Sequence, residues 1–230
     1  MQSTAPMRSQ RFKDLVFATT TPFALLSHGV WKLRLGSSVP ARLRKGSDQR
    51  VWLNLGSGAS PYPNFVNIDI NFARRPDMWL DVRHGTPFAS GTVDAIYTRH
   101  VLEHFYHDEL TRVLVDARRV LRPSGGIRIL VPSLEVACRA YLDGDDSVLM
   151  TFPRPYRSRG GQIVNLLFCD GQHRMGFDFS LMQELLEEAG FTNIAVAPRA
   201  ESRIFPAAVL REMEPDEMWL NTSLIVEATR

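Results

Sequence analysis

Two glycines and a strand-end acid are the residues in this chain best suited to bind a nucleoside. An apolar run, Val51–Leu55, leads into Gly56 and Gly58, and a second run, Val66–Asp69, ends in a carboxylate. In an α/β sheet such a glycine turn lets a ligand approach the backbone, and the carboxylate can accept hydrogen bonds from ribose hydroxyls. Pro61 replaces the third glycine of a dinucleotide motif, and the acid follows Gly56 by 13 residues, against about 20 in that motif. The pattern therefore predicts a single nucleoside as the ligand.

A second candidate group consists of histidines around one glutamate. His100, Glu103 and His104 form the sequence H-x-x-E-H, which inverted zinc peptidases carry. A peptidase needs a long helix through this motif, whereas here the motif directly follows the apolar run DAIYT. That position argues against a peptidase. His173, in DGQHRMGF, is the candidate partner late in the chain.

Three interpretations of these residues remain open. A neutral imidazole of His104 or His173 could act as a general base at about pH 7. Two or three imidazoles and one carboxylate could instead hold a transition ion, which they suit better than Mg²⁺. Glu103 and His104 could also only cap and orient their loop. We expect the metal-free arrangement, with His104, His173 and Glu103 as catalytic residues and no metal ligands.

The elements that must position these residues alternate between short apolar runs and helical periods, which indicates a mostly parallel sheet with helices on both faces. Strands are predicted near 51–55, 65–69, 77–81, 93–98, 126–131, 192–198 and 222–228, and helices near 107–121, 134–142 and 179–190. A turn is predicted at 122–126. Since a parallel crossover needs about a dozen residues or more, no helix is expected between the first two strands.

Two segments stand apart from this pattern. Residues 143–178 are polar and rich in proline and glycine but contain several aromatic residues, which predicts an ordered lid over the crevice at the strand ends. Residues 1–48 form a predicted basic extension outside the core, and the domain is expected to span 49–230. Residues 1–50 hold nine Lys/Arg and two acids, whereas the remaining 180 hold 18 basic and 23 acidic residues.

This charge distribution limits the partners. A basic leader on a slightly acidic body could touch an anionic membrane or a nucleic acid, or could be a solvated tail. The chain has no apolar run long enough to cross a membrane. Its two cysteines, Cys138 and Cys169, have no metal-binding or redox spacing and suit a reducing compartment. We therefore expect a cytoplasmic protein, with peripheral contact to the inner membrane face as an open alternative.

Six motifs in order resemble those of class I S-adenosylmethionine-dependent methyltransferases. They are NLGSG, NIDI, LDVRHGTPF, DAIYTRHVLEHF, RRVLRPSGGIRILVP and LLEEAGF, and they span roughly residues 50–228. The pattern is most similar to a small bacterial, type 11-like branch with a shortened first helix. The resemblance implies a seven-stranded, mostly parallel Rossmann-like sheet in one α/β domain, whose last strand is antiparallel.

The resemblance also implies roles in holding S-adenosylmethionine. The methionine and ribose side of the cofactor would be lined by Leu55, Gly56, Ser57 and Gly58. Asp69 would hold the ribose hydroxyls, and Ile70 would pack on the adenine. Asp81 would accept a hydrogen bond from the adenine amino group, with Val82 beside it. Arg99 and His100 would lie near the methionine part and the sulfonium.

The function implied is methyl transfer to a nucleophile, most simply a hydroxyl on a small or lipid-linked molecule such as a glycan. Two alternatives stay open. One is a non-catalytic partner protein that only binds S-adenosylmethionine, since an intact cofactor half does not prove a working acceptor half. The other is an RNA methyltransferase, which the basic leader favours. The acidic remainder, without a basic stripe near the pocket, argues against nucleic acid.

Overall fold

A seven-stranded sheet forms the centre of the molecule. The computed structural model describes residues 10–35, 39–59, 61–215 and 221–230, with side chains from residue 22 onward. The strand order is β3-β2-β1-β4-β5-β7-β6. The strands are β1 (Trp52–Leu55), β2 (Val66–Asp69), β3 (Met78–Trp79), β4 (Val93–Arg99), β5 (Leu121–Pro132), β6 (Thr192–Val196) and β7 (Ser223–Thr229). Only β7 runs antiparallel to its neighbours, so all seven predicted strands and the predicted direction of the last one are confirmed.

Six α-helices flank the sheet in the described part of the chain. They are α1 (Gln10–Leu35), α2 (His107–Val120), α3 (Leu134–Asp143), α4 (Arg159–Phe168), α5 (Phe179–Glu188) and α6 (Ala207–Met213). The three predicted helices are α2, α3 and α5. At the start of α5 the Asp178 side chain accepts from the Leu181 amide at 2.9 Å, and Gly190 follows its end with φ +88°. These caps satisfy backbone groups that a helix end leaves unpaired.

The helices cover both faces of the sheet, as a parallel sheet requires. One face packs the apolar sides of α2 and α5 on the main core, through residues such as Leu110, Leu114 and Leu186. The other face carries an aromatic cluster, in which the ring centroids of Trp52 and Phe205 lie 5.5 Å apart. The strands are therefore packed between the main hydrophobic core on one face and the aromatic cluster on the other.

The turn predicted at 122–126 lies inside β5. The pairing with β4 shifts from Val93–Leu121 to Ala95–Gly126. Residues 122–125 therefore form a large bulge inside β5 rather than a turn before it. Glycine is required at the end of this bulge, because a Cβ on Gly126 would lie 2.6 Å from the Ile204 side chain. The predicted strand start at 126 was therefore too late.

The predicted extension is partly core. Leu35, Val39 and Leu43 are at most 6% exposed and belong to the main hydrophobic cluster, against which Trp31 also packs. The expectation that residues 1–48 lie outside the core is therefore wrong for this stretch, because apolar spacing continues past the basic residues. Residues 1–9 and 36–38 lie outside the described residues.

A buried arginine ties the last part of the chain to the sheet. Arg128 on β5 is fully buried, and its guanidinium donates five hydrogen bonds. They go to both oxygens of Glu214, to Glu227 Oε1 and to the carbonyls of Pro198 and Glu201. Since a guanidinium has five N–H donors, every donor is used. The loop after β6 and the end of α6 are thus fixed to the sheet by one side chain.

We predict that Arg128→Met lowers the free energy of unfolding by about 3–5 kcal/mol, because it leaves two buried carboxylates without their cation. The control is Arg122→Met, which breaks the partly exposed pair with Asp94 at 2.8 Å and should cost about 1 kcal/mol or less. Urea unfolding measures both. Equal losses for the two variants would contradict the assignment.

Candidate functional site

The glycine turn after β1 is held by the end of β2. The amides of Gly56 and Ser57 both donate to the Ile68 carbonyl, at 2.8 and 3.0 Å. Asp69 is 9% exposed, and its two carboxylate oxygens accept from the amides of Gly58 at 2.7 Å and Asn71 at 2.6 Å. The carboxylate predicted to hold ribose therefore also shapes the turn.

Gly56 admits no other residue without rearrangement. Its φ is +69°, and a Cβ there would lie 2.3 Å from Cγ2 of Val101. Gly58 also has a positive φ, +52°, but a Cβ there would meet nothing closer than 3.9 Å. The two glycines of the motif thus differ. A side chain is excluded at Gly56 by both conformation and lack of space, and at Gly58 by conformation alone.

Asn67 replaces the missing helix as the organiser of the connection between β1 and β2. Its side chain accepts from the Tyr62 amide at 2.9 Å and donates to the Tyr62 and Phe65 carbonyls. It also contacts Asn54 at 3.0 Å and Asp77 at 3.0 Å. This role of Asn67 was not predicted from the sequence. The signal available was an asparagine inside an apolar strand beside a connection too short for a helix.

The adenine side was predicted at Asp81, Val82 and Ile70. Asp81 is 5% exposed, but its carboxylate already receives the Arg83 guanidinium at 2.7 Å and the Arg83 amide at 3.0 Å. An adenine amino group there must share this carboxylate with Arg83. Val82 is buried, whereas Ile70 is half-buried and offers its carbonyl to Trp79 Nε1 at 2.7 Å.

Arg99 and His100 leave β4 in different directions. Arg99 donates to the Met213 carbonyl at 2.8 Å, at the end of α6. His100 has φ +53°, and its ring joins Ser223 Oγ at 3.2 Å to Glu103 Oε1 at 3.3 Å. The structure therefore connects His100 to the glutamate that follows it, whereas Arg99 points toward α6.

Glu103 is the centre of the histidine group. It is fully buried, and neither of its carboxylate oxygens accepts a hydrogen bond within the described residues. His100 Nδ1 lies 3.3 Å from Oε1, without hydrogen-bond geometry, and His173 Nε2 lies 3.9 Å from it. The rings of His104 and His173 meet edge to face with centroids 5.0 Å apart. The structure thus brings together the residues predicted to be catalytic.

His173 lies near the end of the 143–178 insertion, which packs beside Glu103. The amide of Arg174 donates to the Glu103 carbonyl at 2.7 Å, which fixes the two segments to each other. α4 of the same insertion packs against α3. The role of the insertion as a lid stays a prediction.

The hydrogen bonds of the two imidazoles fix their neutral tautomers. His104 Nδ1 lies 3.1 Å from the Gln172 carbonyl, and His173 Nδ1 lies 3.0 Å from the Leu167 carbonyl. A carbonyl oxygen can only accept, so each Nδ1 carries a proton. Each neutral ring therefore has its lone pair on Nε2, which is the atom that could take a proton or a metal ion.

The electrostatics of the group favour a charged Glu103 and a neutral His173. Burial acts to raise the pKa of Glu103, but His100, His104 and His173 outweigh it and hold that pKa below its ordinary value. Burial lowers the pKa of His173, although the Glu103 carboxylate opposes this. A deprotonated carboxylate beside a neutral imidazole is the arrangement that a general base requires.

The same atoms could hold a metal ion. One donor atom each from Glu103, His104 and His173 lie within 4.8 Å of one another. In a tetrahedral site with bonds of about 2.1 Å, donors lie about 3.4 Å apart, so metal binding would require the group to close. Two nitrogens and one carboxylate suit a transition ion better than Mg²⁺.

Comparison with known proteins adds a family and a fold. Residues 60–129 match the profile of a family described as a methyltransferase domain. A possible exported protein from Bordetella parapertussis is similar in structure, with a TM-score of 0.51, 14% identity, and coverage of 88% of this chain and 66% of that chain. At this identity the likeness concerns the fold.

Two further solved structures are similar at a lower score. A SAM-dependent methyltransferase from Archaeoglobus fulgidus has a TM-score of 0.48 and 15% identity over 88% of this chain and 94% of that chain. A SAM-dependent methyltransferase from Thermotoga maritima, a possible histamine N-methyltransferase, has 0.47 and 15% over 94% of each chain. No curated protein matches the sequence significantly.

We predict that the two turn glycines respond differently to alanine. Gly56→Ala should lower the free energy of unfolding by about 2–5 kcal/mol, from left-handed strain plus overpacking against Val101. Gly58→Ala, with strain alone, should cost about 1–2 kcal/mol. Guanidinium titrations of both variants provide the measurement. A Gly58→Ala loss as large as that of Gly56→Ala would show that Val101 does not limit the turn.

Proposed function

Because the chain is a class I S-adenosylmethionine-dependent methyltransferase, we propose that it methylates a hydroxyl on a small or lipid-linked molecule such as a glycan. The observation that carries this proposal is the buried Glu103 with the rings of His104 and His173 beside it. A hydroxyl must lose its proton as it attacks, and these groups are suited to take it.

The cofactor would occupy the edge formed by the glycine turn and Asp69. The backbone there is open to close approach, and a carboxylate accepts two hydroxyl donors through strong, charge-assisted hydrogen bonds. Leu55, Ser57 and Val82 are buried beside this edge. Since β1 and β4 are neighbours in the sheet, the turn after β1 and the residues after β4 belong to the same crevice.

The reaction needs little covalent help from the protein. Bound S-adenosylmethionine would supply the methyl group: a bond would form between the acceptor oxygen and the methyl carbon as the carbon–sulfur bond breaks, and the electron pair would stay on sulfur. The hydroxyl proton passes to Nε2 of His104 or His173, and Glu103 stabilises the imidazolium that forms. The enzyme's contribution is to hold the two reactants in line and to remove this proton.

Peripheral contact with an anionic membrane belongs to the same proposal. A lipid-linked acceptor lies at the membrane surface, and the basic excess lies in the first 50 residues. Basic segments add roughly 1 kcal/mol per cation at such a surface.

The acceptor class can be tested with S-adenosylmethionine that carries a radiolabelled methyl group. The purified protein is incubated with the source organism's lipid extract, its soluble glycans and its total RNA in parallel. We expect label in the lipid or glycan fraction, in a bond that mild alkali leaves intact, as for a methyl ether. Label that enters RNA alone would contradict the proposal.

We predict that His173→Ala lowers the rate of methyl transfer about 100-fold, the usual effect of a lost general base, and leaves affinity for S-adenosylmethionine unchanged. His107→Ala is the matched control, because His107 is exposed at the start of α2 and should leave the rate unchanged. Rates are compared with the labelled fraction identified above.

Treatment with a chelator separates the two forms of the site. The metal-free site predicts that a chelator leaves the wild-type rate unchanged. Loss of activity that a transition ion restores would assign Glu103, His104 and His173 to a metal instead. A His173→Ala variant with the wild-type rate would remove His173 from the mechanism in either form.

A further inference from the structure

The last part of α1 is docked on the domain by one face. Ala24 is 1% exposed and Leu35 is 4% exposed. Between them, His28 and Trp31 are half-buried, and Trp31 packs against the main core. Their spacing of four, three and four residues places them on one side of the helix. Contacts along this face fix the orientation of α1. They therefore also fix the direction in which the residues on the opposite side of the helix point.

The opposite side carries a stripe of exposed apolar residues. Phe23 is 61% exposed, Leu26 69%, Val30 39% and Leu33 86%. Their spacing of three, four and three residues aligns them along the helix, away from the docked face. Single exposed apolar residues are ordinary on protein surfaces, whereas a continuous stripe marks an interaction site.

The sequence around this stripe is basic. Between residues 15 and 47 it contains five Lys/Arg and no Asp or Glu, although Lys45 is paired with Asp77 at 2.6 Å. The guanidinium carbons of Arg34 and Arg42 lie 5.7 and 5.9 Å from the Trp31 ring centroid, beside the docked face at the end of α1. Lys32 and Arg34 are exposed on the helix itself. An apolar stripe on a helix with exposed cations is complementary to an anionic, apolar-cored surface.

We propose that α1 lies flat on an anionic lipid bilayer and inserts Phe23, Leu26, Val30 and Leu33 into the boundary between headgroups and acyl chains. Helices of this kind bind through buried apolar area together with attraction to anionic lipids. This deepens the peripheral contact proposed above by naming the face that makes it. It requires neither methyl transfer nor a particular acceptor.

Among the described residues, no helix is both long and apolar enough to cross a membrane.

A second copy of the chain is the main competing occupant. A stable protein interface uses about 20–30 residues from each partner, and protein interfaces with a basic stripe require an acidic counterpart. The exposed stripe consists of four aligned side chains, with like charges beside it. Two copies that pair through this face would bring their own cations together, which is unfavourable. A lipid surface meets neither objection.

The test is flotation of the full chain with vesicles of phosphatidylcholine alone and of phosphatidylcholine mixed with phosphatidylglycerol, without any acceptor. We expect binding to the mixed vesicles that weakens with salt, and much weaker binding to the neutral ones. The double variant Leu26→Ser, Leu33→Ser should bind the mixed vesicles at least about tenfold more weakly, from the lost apolar burial.

The control is Leu142→Ser, since Leu142 is 81% exposed at the end of α3 and lies outside the stripe. It should bind like the wild type, and thermal unfolding checks that all variants are folded. Wild-type protein that ignores both vesicles, or a double variant that binds as well as the wild type, would overturn the proposal. A dimer in solution that the double variant dissociates would assign the stripe to a second copy. A failure here would leave the labelling test of the acceptor unaffected.

Discussion

A buried carboxylate surrounded by imidazoles organises the candidate acceptor site. Glu103 is fully buried, with His100 Nδ1 at 3.3 Å and His173 Nε2 at 3.9 Å from its Oε1, and burying such a group alone is costly. Three imidazoles surround it, and backbone carbonyls orient two of them with Nε2 as the open position. The neighbouring imidazoles offset this cost, since they hold the pKa of Glu103 below its ordinary value despite burial. The folded chain thus keeps a carboxylate and its histidines together at the end of β4.

The cofactor edge depends on a different constraint, the short connection between β1 and β2. Ten residues separate Leu55 from Val66, too few for a crossover helix. Backbone groups that a helix would have paired need side-chain partners. Asn67 and Asp69 supply them, at the base and at the tip of the connection. Asp69, which is expected to hold the ribose, consequently also stabilises the connection between β1 and β2.

The strands, the helices α2, α3 and α5, and the convergence of His104 with His173 could be predicted from the sequence. Apolar periodicity and the shared edge of a parallel sheet were sufficient for these. The bulge in β5 and the burial of Leu35, Val39 and Leu43 could not, because both depend on contacts with distant segments. The five hydrogen bonds of Arg128 were equally out of reach. An arginine within an apolar run reveals nothing about its partners, which lie 70 to 99 residues away.

The central claim is that a cofactor methyl group on the glycine edge faces the Glu103 group. A crystal structure with S-adenosylhomocysteine tests it most directly. An acceptor oxygen within hydrogen-bond reach of Nε2 and about 3–3.5 Å from the methyl carbon places the sulfur within about 8 Å of His104 or His173 Nε2. The account predicts that the sulfur lies in this range, with its open side toward the two rings. A sulfur much farther away, or one that faces the opposite side of the sheet, would contradict it.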